Sequence, residues 1–152
     1  DNMFKNVFTI LVAAGFMACG SGKKDELTPY IKTLQELEIH SQKLVRYQAY
    51  LKTEGMTNKA HDIEDVMKTL KAELEKVELE DKKLRALHNT MKRALDAAMR
   101  KLVQPDFPTF VPNAQKSISV VEDEFTKIYS NLDKMWKDAG KTEPFPIKWA
   151  AE

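Results

Sequence analysis

From Thr57 to Val103 the chain contains neither glycine nor proline. Within that stretch Ile63, Val66, Met67, Leu70, Leu74 and Val77 recur at three- and four-residue steps, and so do Leu84, Leu87, Met91, Leu95, Ala98 and Leu102. This period is helical. A single helix of that length would run about 70 Å at 1.5 Å per residue, whereas the helices on either side would each reach only about 40 Å. A compact domain therefore needs a break. Val77-Glu78-Leu79-Glu80-Asp81 supplies one, because Leu79 is out of helical phase and Asp81 would fall on the apolar stripe. Asp81 is instead suited to cap a new helix. The alternative is an unbroken helix in an elongated coiled coil of three long helices, which the seven-residue step from Val77 to Leu84 permits.

Helix boundaries elsewhere follow from caps and breakers. Thr28 followed by Pro29 reads as the N-cap and first position of a helix running to Lys52. Its stripe is Leu34, Leu37, Leu44, Val45 and Leu51, joined by Tyr30, Ile31 and Tyr47, and Gly55 ends it. The second helix is expected to start at Thr57 or Asn58. The third is expected from Lys82 to Leu102. Pro105, Pro108 and Pro112 then forbid a helix, and Phe107, Phe110 and Val111 are expected across one end of the bundle. A fourth helix is expected from Asn113 to Gly140, with Ile118, Val121, Phe125, Ile128, Tyr129, Leu132, Met135 and Trp136 inward. Short connections make neighbours antiparallel, so the expected fold is an all-α, up-down-up-down four-helix bundle.

Ahead of the bundle lies a different kind of segment. Met3 reads as a start, with Asp1 and Asn2 upstream of it. Lys5 and the apolar run Val7 to Met17 have the shape of a secretory leader. The run is shorter than the roughly 20 residues that a membrane-spanning helix needs. Ordinary signal peptidase favours small residues at −1 and −3, and a cut after Ala18 would put Phe16 at −3. Phe16, Met17, Ala18 and Cys19 instead resemble the lipobox of bacterial lipoproteins, although Met17 is less usual there and Phe16 stands where leucine is commoner. Cys19 is the only cysteine, so no intramolecular disulfide is possible. The resemblance implies removal of residues 1–18 and a lipid (diacylglyceryl, with a palmitate-type acyl chain) on Cys19, with two or more chains giving stable anchoring. Gly20 rather than aspartate after the cysteine implies the outer membrane where the host has one. Residues 19–26 then read as a flexible tether, 27–140 as the bundle and 141–152 as an extended tail.

The composition narrows the function. Charged residues make up 31% of the chain but the formal net charge is only +1, which lacks the basic excess of a nucleic-acid binder. Glu36 with His40, and His61 with Asp65, have metal-pair spacing, yet the Glu-x-x-His of di-iron bundles is absent. They read as surface pairs. Haem attachment through Cys-x-x-Cys-His has no residues to use, which leaves a b-type haem held by a histidine and a methionine, such as His88 with a methionine from another helix. The methionines of the mature part read as core fillers. No catalytic residue set stands out, so the chain reads as a non-enzyme with no metal and no cofactor beyond the lipid on Cys19. Acids with partners four along, namely Glu64–Lys68, Asp96–Arg100 and Asp133–Lys137, with Glu78–Lys82 only where the helix is unbroken, read as solvated helix faces.

Two surfaces remain for a partner. Lys82, Lys83, Arg85, Lys92, Arg93, Arg100 and Lys101 face only Asp96 along the third helix. The tail alternates Phe145, Ile147 and Trp149, which either fill a groove of the bundle or form a docking strip. The run Asp81 to His88 resembles a helix start in uncharacterised helical envelope lipoproteins, a likeness that carries no activity. The sequence thus implies a membrane-anchored envelope lipoprotein with a non-catalytic interaction, scaffold or assembly role. The alternative is a carrier of metal, haem or a hydrophobic ligand in the bundle core.

Overall fold

The computed structural model describes residues 24–53, 60–102 and 110–150, with only the backbone of Thr53, Ala60, His61 and Phe110. Cys19, its lipobox, Thr57, Asn58 and Phe107 lie outside the described residues. Four helices are present among those described: α1 (Leu27–Thr53), α2 (Ala60–Glu75), α3 (Lys82–Leu102) and α4 (Phe110–Asp138). They form an up-down-up-down bundle. Packing joins α1 to α2, α2 to α3, α3 to α4 and α4 back to α1, with α3 and α4 sharing the most extensive seam. Helices α1 and α3 are therefore diagonal partners.

The break between α2 and α3 is real, which excludes the three-helix alternative. Lys76 and Val77 close the end of α2 with N–H bonds to Glu73 and Leu74 carbonyls at 3.3 and 3.1 Å, and residues 77–80 have no regular secondary structure. The Asp81 carboxylate accepts the Leu84 N–H at 3.0 Å, which is the N-cap of α3. Because residues 77–80 are not helical, Glu78 and Lys82 do not share a helix.

Two helix starts differ from expectation. Asp25, not Thr28, caps α1: its carboxylate accepts the Leu27 and Thr28 N–H groups at 3.1 and 3.4 Å and the Thr28 hydroxyl at 2.8 Å. Starting there places Leu27, Tyr30 and Ile31 in the core. Helix α4 begins at Phe110, three residues before Asn113, so Pro112 lies in its first turn. Proline is tolerated there because first-turn N–H groups lack intrahelical partners anyway.

The other end of α4 has a Schellman closure. Gly140, at φ +79°, donates to the Lys137 carbonyl and Lys141 donates to the Trp136 carbonyl. The Lys141 ammonium sits 5.3 Å from the Trp136 ring centre.

All four helices feed one apolar core. Leu44, Ile63, Leu70, Leu95, Ile118 and Leu132 are almost fully enclosed, and burial of each such side chain contributes about 1.5–3 kcal/mol. The tail joins this core over the α1–α4 seam. Trp136 donates its indole N–H to the Glu143 carbonyl at 2.9 Å, Phe145 meets the Trp136 ring edge-on, and Trp149 meets Phe125 at 5.8 Å between centroids.

Candidate functional site

Ile147 and Trp149 are buried at 3% and 8% exposure. The tail therefore takes the groove-filling role, and these residues do not form a docking strip. Phe145 is half-buried against the core. The Lys148 backbone N–H also bonds the Glu38 carboxylate on α1, a group that burial holds above the ordinary carboxylate range. The physical reason is the open seam: the Phe125, Tyr129 and Trp136 rings of α4 need a cover that α1 alone does not give.

The basic face of α3 stays at the surface. Lys82, Lys83, Arg85, Arg93, Arg100 and Lys101 are exposed, and Lys92 is half-exposed. At 100° per residue Lys82, Arg93 and Arg100 fall within about 20° of one another, opposite the buried row of Leu84, Met91, Leu95, Ala98 and Leu102. Lys83 and Lys101 border this row on one side, Arg85 and Lys92 on the other. None of the seven forms an ion pair among the described residues. Asp96, the one acid of α3, reaches Lys71 of α2 at 2.6 Å rather than Arg100. That carboxylate holds the Lys71 ammonium above its ordinary range. The cross-helix bond turns the acid toward α2 and leaves the outer face of α3 cationic. Glu64–Lys68 and Asp133–Lys137 form as the spacing predicts, at 2.9 and 3.5 Å.

Two open grooves flank the helices. One, of about 420 Å³, runs between α3 and α4, with Lys83 and Lys134 on its banks over Leu87 and Met135. The other, of about 390 Å³, lies between α1 and α2, where Lys43, Arg46, Tyr47 and Tyr50 meet Asp62 and Asp65. Ile39, at 54% exposure, is the most exposed large apolar side chain of α1.

The histidines separate. His40 is half-buried on α1, and burial together with Lys43 lowers its pKa. Glu36 is exposed, and the side chain of His61 lies outside the described residues. Among the described residues no three His, Cys, Asp or Glu side chains gather as a metal-binding group.

His88, considered from sequence as an axial ligand, lies in the core at 3% exposure. Nε2–H donates to the Leu74 carbonyl at 2.7 Å, so Nδ1 is the acceptor and the Tyr30 hydroxyl donates to it at 2.9 Å. Both ring nitrogens are thus engaged, which leaves neither free for a haem iron. Burial lowers the His88 pKa and raises that of Tyr30. Sequence spacing carried the signal, since Leu84, His88, Met91 and Leu95 share one helical row. No helix among the described residues is long and apolar enough to cross a membrane.

No protein-family model, curated protein or solved structure matches this chain.

Proposed function

We propose that the protein is an envelope lipoprotein held to a membrane by acylated Cys19, whose bundle is a non-catalytic interaction, scaffold or assembly accessory module. Support for the anchor is the order Phe16, Met17, Ala18, Cys19, with no other cysteine in the chain. Gly20 favours the outer membrane as its site. The observation that carries the interaction role is the outer face of α3, where seven cations stand without an ion pair among the described residues on a chain of formal charge +1. Such a concentrated field favours an anionic counterpart. Of the two surfaces expected from sequence, this one stays accessible and the tail does not.

Palmitate labelling of growing cells, with the mass of the N-terminal peptide, tests the anchor. Label on the wild type and none on Cys19→Ser is the expected result. An unmodified thiol or a retained leader overturns it. For the module, a photo-crosslinking residue at the exposed Ala86 of α3 in the anchored chain is expected to give a discrete adduct with an anionic envelope component, lost when Lys82→Glu, Arg93→Glu and Arg100→Glu are combined. An anchored chain that yields no adduct from Ala86 or from any other exposed helix face overturns the interaction role.

A further inference from the structure

We infer that α3 is the membrane-facing side of the bundle: the molecule lies along an anionic phospholipid surface on this helix, with α1 turned outward. The inference rests on the lipid-anchor reading and adds an orientation to it.

Charge selects the helix. Lys82, Arg93 and Arg100 form a straight row about 27 Å long, and the only acid on α3 is bonded to Lys71. The neighbouring α2 is the opposite, with Asp62, Glu64, Asp65, Glu73 and Glu75 against Lys68 and Lys71. An anionic surface attracts the first helix and repels the second, which fixes rotation about the bundle axis.

The anchor arm decides tilt. Glu26 accepts the Glu80 and Asp81 N–H groups at 2.9 and 2.8 Å, so the arm enters the fold beside the start of α3. Asp25 and Glu26, the expected end of the tether, are thus bonded to the bundle. Five residues, 20–24, separate Cys19 from that point, and a chain of that length reaches at most about 18 Å. Lys82 and Lys83 are held near the headgroups in any pose. An upright bundle would lift Arg93 about 16 Å and Arg100 about 27 Å higher, beyond the screening length of about 8–10 Å in physiological salt. Only the recumbent pose brings the whole row into the surface field. A phospholipid surface fits better than a nucleic acid because the row is flat and the chain as a whole is nearly neutral. The pose presents α1, with Ile39 and the Lys43–Arg46–Tyr47 groove, away from the bilayer.

The acylated chain in vesicles tests this, with a nitroxide on Ala86→Cys (α3) or, separately, Gln35→Cys (α1), both at exposed positions. A paramagnetic nickel chelate carried on lipid headgroups reads proximity. Vesicles with phosphatidylglycerol are expected to give several-fold stronger nickel contact at position 86 than at 35. The ratio should fall to about one in pure phosphatidylcholine, in high salt, or with Lys82→Glu, Arg93→Glu and Arg100→Glu combined. Chains that float with vesicles but show equal contact at both positions overturn the orientation alone. Chains that do not float, or that take two labels because Cys19 is free, overturn the anchor and the orientation with it.

Discussion

The Tyr30 hydroxyl donates to Nδ1 of His88 at 2.9 Å, joining α1 to α3 across the bundle diagonal. The opposite ring nitrogen bonds the Leu74 carbonyl near the end of α2, so one imidazole ties three helices together. The Met91 thioether, 3.7 Å from the Tyr30 oxygen, is a second acceptor for that hydroxyl.

Protonation of His88 would turn Nδ1 into a donor and force the Tyr30 hydroxyl toward the weaker Met91 acceptor. Burial accordingly lowers the folded pKa of His88 below its ordinary value of 6.5. The unfolded chain then binds the proton more readily than the folded one. Its contribution is therefore complete above pH 6.5 and is lost as pH falls from there toward the folded pKa. Urea unfolding between pH 7.5 and 5.5 is expected to show this loss, and His88→Asn should reduce that part of the slope, leaving the share of His40, whose pKa burial also lowers. Tyr30→Phe strips the acceptor of its partner and is expected to cost about 1–3 kcal/mol at pH 7.5. A pH-independent wild type would refute the assignment.

Asp81→Ala removes the side-chain cap of α3 while leaving its exposed surroundings unchanged. A loss of about 1 kcal/mol is expected, with Asp81→Asn largely restoring it. Thermal melts followed by circular dichroism measure both.

The tail is part of the core. Trp149→Ala is expected to cost about 3 kcal/mol or more. Ile147→Asp should release the segment and expose Trp136, read as increased acrylamide quenching in a Trp149→Phe background where Trp136 is the sole tryptophan. Unchanged quenching would mean that the tail does not cover the seam.

Gly140 sits at φ +79° with open space where a β-carbon would go. Gly140→Ala therefore meets a backbone penalty without a clash, expected at about 1 kcal/mol. A fall in thermal midpoint with unchanged helix content is the predicted reading.

The bundle was legible because its apolar rows and its interruption both lie in the sequence. Asp81 declared the α2–α3 turn by putting a charge on the apolar stripe, beside an out-of-phase Leu79, and by being a good cap. The start of α1 was not legible, since Thr28-Pro29 imitates a cap; what decides the matter is that Leu27 has a place in the core, a tertiary fact. Pro112 misled similarly, because the first turn of a helix tolerates the residue that its interior forbids. The cationic face of α3 was readable from residue type, but Asp96 was assigned to Arg100 along the helix. Its actual partner, Lys71, comes from a neighbouring helix whose register no local pattern encodes. The partnership of His88 with Tyr30 was hidden for the same reason.

The Glu26 carboxylate grips the backbone of the α2–α3 turn from the first residues before α1. A pull arriving along the N-terminal arm is divided at once between two points of the fold. Load enters α1 and that turn in parallel, not through the first turn of α1 alone.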